Sequence, residues 1–388
     1  MTPLKSTTEL LRLSGLRELL ASPGPCLTVL LPPYRPGEQA GSQAALLNST
    51  IKEASRQLTT FLPDESVSRL LEPLKNSVKD PDLAAGSHWS RAILRSPGVF
   101  EQFQLTQPVK ASLTVAGSFS IRTLLDDVSR PETFYVLNLS KTSVALIQCS
   151  DLEARKIPLP NKTPDNLADA LAFEPPDHDL ENRSYTGSST GAMHRLRFGT
   201  GSGRETQHAH LADFYRLVDR ALSELLQEHD APLILAGVDV DKDIFRTITR
   251  CQNLVKEGIT NNGAGLDTND DLLQKAYVLL RGHAAERWTA ALSLTKEQAG
   301  PGRFSTDPVL LLHAAFEGRV ARLYLNQGAA RPGVFERGNY HSWGEEDLLN
   351  LTAVQTVLHR GEAFQIPGEN MPAQPSGEKA SVLGIMRY

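Results

Sequence analysis

Apolar residues recur along this chain with more than one period, and the changes of period mark its helices and strands. In the first 130 residues, TELLRLSGLRELL, QAALLNSTIKEASRQL and VSRLLEPLKNSV carry helical apolar spacing, the second with positions i, i+3 and i+4. CLTVLLPPY, Cys26 to Tyr34, is apolar but for Thr28 and closes on prolines, which predicts a buried strand. RAILRSPGVFEQFQL reads as strand, turn and strand about Ser96-Pro97-Gly98. From Pro131, TFYVLNLSKTSVALIQCSDLEARKIPLP predicts a three-stranded meander turning at Ser140-Lys141-Thr142 and Ser150-Asp151-Leu152. HLADFYRLVDRALSELLQEH places Leu211, Phe214, Leu217, Val218, Leu222 and Leu225 on one helical face. PLILAGVD, Pro232 to Asp239, predicts a central strand buried on both faces.

The last third alternates in the same way. LDTNDDLLQKAYVLLRGHAAERWTAALSLTKEQAG predicts a helix capped by Asp267, Thr268 or Asn269. DPVLLLHAAFEGRVARLYLNQG predicts a helix and the strand VARLYL. EEDLLNLTAVQTVLHRGEAFQIP predicts a helix ended at Gly361 and the strand AFQIP, and SVLGIMRY a final strand. The whole predicts an α/β (α+β) chain in three parts: an N-terminal α+β domain (1–130), a middle domain (131–260) and a C-terminal α/β sandwich (261–388).

Charge and cysteine content narrow the function classes. The net charge of −5 excludes a uniformly basic nucleic-acid coat. The three parts carry +2, −5 and −2, so any RNA contact must come from a local patch. Cys26, Cys149 and Cys251 are far apart with no CxxC, which argues against a zinc ribbon or a disulfide framework. The amino-terminal segment is amphipathic rather than a signal core, and no apolar run approaches the ~18 residues of a membrane span. These features predict a cytoplasmic protein with no membrane partner.

One local patch stands out. The Gly-rich loop 194–207 packs Gly199, Gly201 and Gly203 into five residues beside Arg195, Arg197 and Arg204, with no acid from His194 to Arg204. It is not a P-loop, because no lysine follows at the required spacing. It is not a dinucleotide fingerprint, because GTGSG has the wrong spacing and follows no strand. Glycines allow backbone N–H groups close to phosphate and arginine supplies charge, so these six residues are candidate RNA contacts. The bland alternative is a solvated linker, the commoner fate of Gly/Ser runs.

Other chemistry is thinner. His208 and His210 form HxH, with His178 and His194 upstream, and are candidate metal ligands only in a strand or loop, since on a helix i and i+2 diverge. Glu174, Asp177, Asp179 and Glu181 form an acidic stretch that reads more simply as solvated. No strand-to-helix nucleophile elbow and no Cys–His neighbourhood follows from the spacing. No cofactor is expected.

Several motifs in fixed order resemble the archaeal and eukaryotic class-1 peptide-release factors and their relative Pelota. A meander is followed by the glycine loop, a long helix, and a strand ending Leu235-Ala236-Gly237, with Lys242 and Phe245 beyond it. SVLGIMRY, with Gly384, Ile385, Arg387 and Tyr388, is similar to the closing strand of that family's third domain. RVARLYL, the helix Glu345–His359 and the Gly361-Glu362-Ala363 turn match the same domain. SPGVFEQFQL, FSIRTLL and TFYVLNLSKTSVAL resemble the family's bacterial branch. The resemblance covers residues 90–388. It implies an RNase H-like middle domain and a C-terminal domain resembling ribosomal proteins that bind kink-turn RNA. It also implies the ribosome as partner, through ribosomal RNA and tRNA, with a translational GTPase as a candidate second partner.

The chain departs from the family at one point. Release factors carry Gly-Gly-Gln at the loop tip, where the glutamine helps place the attacking water, and no Gly-Gly-Gln exists here. Gln207 is the one glutamine near the loop and the only catalytic candidate. The expectation is therefore a ribosome-associated, release factor-like protein acting in rescue, hibernation or protection without a Gly-Gly-Gln release loop. The alternatives are a peptidyl-tRNA hydrolase and a non-ribosomal protein-interaction adaptor.

Overall fold

In the computed structural model, the described residues are 5–6, 13–22, 24–34, 42–84, 87, 89–128, 131–150, 152–159, 163–173, 202–226, 231–260, 269–298, 303–338, 340–374 and 376–388. The N-terminal segment runs β1 (Lys5–Ser6), α1 (Leu13–Leu20), β2 (Cys26–Leu31), α2 (Gln43–Leu58), α3 (Asp64–Ser77), α4 (Pro81–Ala84), β3 (Ser90–Arg95), β4 (Phe100–Leu105), β5 (Ser112–Ala116) and α5 (Arg122–Val128). Its sheet has the order β1-β4-β3-β2-β5. α2 matches its expected bounds and starts at Ser42, whose side chain accepts from Ala45 N.

The apolar run of β2, broken only by Thr28, follows from burial on both sheet faces. Leu27, Val29, Leu31 and Ile93 pack under α2 and α3 with Leu47, Leu58 and Leu70. Cys26, Ala92, Leu94 and Phe103 face the other way, into a core completed by Leu311, Leu323, Leu349 and Val354. Those last four residues come from the C-terminal segment. The two ends of the chain therefore share one hydrophobic core, and the fold divides into two compact units, 1–132 with 280–388 and 133–279.

The second unit holds β6 (Thr133–Leu139), β7 (Ala145–Ser150), β8 (Glu153–Ile157), α6 (Leu167–Phe173), α7 (Ser202–Leu226), β9 (Leu233–Gly237), α8 (Asp239–Ile248) and β10 (Leu254–Thr260). Its sheet has the order β10-β9-β6-β7-β8. The meander β6–β7–β8 is antiparallel, as the turn spacing predicts, and β9 and β10 add in parallel. Parallel addition requires crossovers, which α7 and α8 supply. The buried stripe of α7 is Leu211, Phe214, Tyr215, Val218 and Leu222, packed against Tyr135, Leu137, Leu233 and Leu235. α8 and β10, too polar to register in the apolar pattern, are visible only in the fold.

The remaining elements are α9 (Asn269–Gln298), β11 (Phe304–Ser305), α10 (Pro308–Phe316), β12 (Val320–Asn326), β13 (Pro332–Gly333), β14 (Glu336–Arg337), β15 (Tyr340–His341), β16 (Glu346–Asp347), α11 (Leu348–Leu358), β17 (Glu362–Ile366) and β18 (Val382–Met386). The main sheet of this segment is β11-β18-β12-β17, with β12 and β17 parallel. Gly361 does not end α11. Arg360 takes the left-handed conformation there (φ 63°). Gly361 is instead a close-approach glycine, since a Cβ would lie 2.7 Å from the Val320 carbonyl.

Polar groups stitch the two segments of the first unit together. Arg122 pairs with Asp347 at 2.7 Å and donates to the carbonyls of Ala329 and Asn326 at 2.6 and 2.7 Å. Gln365 returns a hydrogen bond to the Arg122 carbonyl at 2.5 Å. Asp126, Arg281, Gln107 and Gln327 line a cavity beside them. Among the described residues, no helix is long and apolar enough to cross a membrane.

Candidate functional site

Leu139 and Gly237 close the adjacent parallel strands β6 and β9. Gly237 has φ +144°, and a Cβ on it would lie 2.5 Å from the Leu139 carbonyl oxygen. Only glycine fits, and it lets the chain turn directly into α8. The first turn of α8 carries Asp239 and Asp241, where carboxylates complement the exposed N–H groups and the helix dipole.

The two acids have opposite environments. Asp239 is exposed and accepts from Lys242 Nζ at 2.9 Å and from Thr260 Oγ1 at 3.1 Å. These bonds, the lysine's first, hold its carboxyl below the usual range. Lys242 also donates to Thr260 Oγ1 at 2.8 Å, and its side chain is only 3% exposed. Gly258 makes room for the lysine stem, because a Cβ there would lie 3.0 Å from Lys242 Cδ. Lys242 thus threads from α8 to the end of β10 and ties the helix to that strand.

Asp241 is buried and turns the other way, towards α7. Burial pushes its carboxyl up, opposed by Lys141 from the β6–β7 turn, the Tyr215 hydroxyl, and His208 near the start of α7. Burial, and then the charge of Asp241, push the Tyr215 phenol above its ordinary range. Tyr215 Oη and Asp241 Oδ1 are both sealed from solvent, and neither meets hydrogen-bond geometry. The Tyr215 ring packs edge-on to Phe245 at 6.1 Å. A buried acid beside Tyr215 of α7 therefore sits at the carboxyl end of the parallel strands. Ligand sites of open α/β sheets gather at this end.

The sequence-derived residues fall as follows. Arg195, Arg197, Gly199 and Gly201 lie outside the described residues, as do His178, His194, Glu174, Asp177, Asp179 and Glu181. Gly203, Arg204 and Gln207 lie in the backbone of α7, so the expected loop 194–207 is already helical from Ser202. The physical reason is that Arg204 to Ala209 is a run of helix-tolerant residues without a breaker. His208 is exposed and His210 half-buried. Both sit in α7 two positions apart, which turns their side chains about 200° from each other. Among the described residues, no group of three His, Cys, Asp or Glu could hold a metal ion.

Lys242 and Phe245 were placed beyond the strand by the motif order, and the fold shows what each does. Lys141, Tyr215 and Asp241 were missed. Tyr215 reads as one more apolar position of the α7 stripe, and Asp241 as one acid among several in DVDKD. Their convergence needs three elements to meet.

Residues 133–319, just under half of the chain, match the model of a family described as bacterial archaeo-eukaryotic release factor family 3. No curated protein matches the chain. Among solved structures, Pelota from Archaeoglobus fulgidus aligns at 10% identity, covering 77% of this chain and 79% of that one, with a TM-score of 0.35. An archaeal translation termination factor, aRF1, aligns at 15% identity over 99% of each chain, with a TM-score of 0.25. Dom34 from S. cerevisiae, a translation termination-like factor, aligns at 10% identity over 81% and 76%, with a TM-score of 0.29.

Proposed function

We propose that this chain, a bacterial archaeo-eukaryotic release factor-like protein by the match over its residues 133–319, acts on translation by binding ribosomal RNA without releasing peptide. The observation that carries the reading is the acid-free stretch from His194 to Arg204, which runs into α7, a helix packed on the sheet of this unit from Leu211 onward. A fixed helix gives a cationic stretch a defined direction. Arginines with intervening glycines suit phosphate oxygens, which position a protein on RNA without reading its sequence. The strand order β8-β7-β6-β9-β10, a meander extended by two parallel strands, supports the RNase H-like reading of this segment.

Two features argue against hydrolysis as the task. The chain contains no Gly-Gly-Gln. Gln207 follows no glycine pair and lies within α7. In this reading the protein serves stalled or idle ribosomes, in rescue, hibernation or protection. It works in the cytoplasm, touches ribosomal RNA and tRNA, and is open to a translational GTPase as second partner.

Co-sedimentation with bacterial ribosomes at graded salt tests this. Binding should weaken steeply with salt, because neutralised phosphates release counterions. Replacing Arg195, Arg197 and Arg204 together by alanine should flatten the log–log salt slope by about 2 to 3. Absence of pelleting at any salt, or an unchanged slope in the triple variant, removes the reading.

A further inference from the structure

A second cationic site lies in the same unit, away from the glycine stretch. A cavity of about 810 Å³ opens between the later turns of α7, the end of α8 and the chain entering β9 and β10. Its volume falls in the range of small-molecule pockets, ~300–1,000 Å³. Arg216 and Arg220 reach it from α7 and Arg250 from the turn after α8. Leu226, Ala231 and Ile248 supply apolar wall.

The arginines differ in what they already hold. Arg216 pairs with the exposed Asp213. Arg220 and Arg250 are exposed, and among the described residues neither guanidinium has a hydrogen-bond or ion-pair partner. Two carboxylates, Asp219 and Glu224, also line the cavity, and among the described residues neither contacts the Arg220 or Arg250 guanidinium. Asp219 is 7% exposed and spends its oxygens on the turn itself, accepting from Thr249 Oγ1 at 2.7 Å and from Arg250 N at 3.3 Å. This buried carboxylate fixes the backbone at Arg250, which lines the cavity together with Arg220, and leaves both guanidiniums free. Unpaired guanidiniums are planar forks that match phosphate oxygens bidentately.

We propose that this cavity binds a phosphate-bearing ligand of nucleotide size, with Arg220 and Arg250 on the phosphate and the wall of Leu226, Ala231 and Ile248 against its ring. Asp219 acts as a positioning residue. Cys251, half-buried in the same lining, gives a reporter at the site.

Titration calorimetry of the full chain tests this with ADP, ATP, inorganic pyrophosphate and a short RNA lacking terminal phosphates. The nucleotides should bind, pyrophosphate more weakly, and bound nucleotide should slow alkylation of Cys251. Arg220→Ala with Arg250→Ala should weaken nucleotide binding by about tenfold or more while leaving the melting temperature unchanged, because both side chains are exposed. Arg195→Ala, Arg197→Ala and Arg204→Ala should leave nucleotide binding intact, which separates this site from the ribosome reading. No binding of either nucleotide, or binding indifferent to the Arg220 and Arg250 changes, overturns the proposal. Binding of the RNA alone assigns the arginines to a nucleic-acid backbone and overturns it as well.

Discussion

Asn350 on α11 holds both sides of the peptide segment that leads into α5. Its Oδ1 accepts from Ile121 N at 2.8 Å, and its Nδ2 donates to Phe119 O at 2.9 Å. All of these groups are buried, and Asn350 is more than 200 residues from both partners in the chain. A single carboxamide thereby satisfies a donor and an acceptor that would otherwise lie unpaired in the core shared by the two ends of the chain. Asn350→Ala should cost about 2–4 kcal/mol, the penalty of two unsatisfied buried backbone groups. Urea unfolding should show the loss as a lower midpoint with little change in slope. A loss below about 0.5 kcal/mol, typical of a surface change, would contradict the assignment.

Asp126 should make stability depend on pH. Burial, and then the neighbouring Asp127, push its carboxyl up from 3.8 to about 6. A raised carboxyl binds more protons in the folded than in the unfolded state within that window. Its effect is therefore to lower stability as pH rises from about 4 to about 6, with no further change from this group above that. Asp126→Asn should remove this fall. Unfolding midpoints of wild type and variant, compared across the window, should converge at its acidic end and separate at its neutral end. Parallel profiles would show that Asp126 is not the group responsible.

Lys242 and Asp239 form an ion pair whose two halves should matter unequally. The lysine side chain is 3% exposed and the aspartate 73%. Asp239→Ala removes a solvent-screened partner and should leave the unfolding midpoint almost unchanged. Lys242→Ala also strips an aliphatic stem packed along Gly258, and should cost roughly 1–3 kcal/mol. Hydrogen exchange should speed up in β10 for the lysine variant and hardly at all for the aspartate variant. Equal effects would refute the division of roles.

Gly237→Ala tests the turn from β9 into α8. The substitution forces a Cβ to 2.5 Å from the Leu139 carbonyl at φ +144°. The backbone of two adjacent strands must then shift, so the loss should exceed the ~1 kcal/mol of a tolerated glycine replacement. A thermal melt that moves by no more than a tolerated replacement would mean that the strand ends are looser than described here.

Residue order alone specifies the local elements with strong periodicity. The meander β6–β8, the strand β9, the helix α2 and the apolar stripe of α7 follow from short-range spacing, and spacing is a property of consecutive residues. The arginine and glycine content of 195–204, the missing Gly-Gly-Gln and the family resemblance are likewise written in residue order. Which elements share a core is set by packing between distant segments. Leu94 and Phe103 meet Leu323 and Val354 because each segment has a second apolar face to bury, and periodicity shows that such a face exists without naming its partner. Asp241 with Tyr215, and Arg220 with Arg250, came together for the same kind of reason. Each is unremarkable in its own stretch of sequence, and acquires its role from burial and from neighbours that chain folding brings alongside.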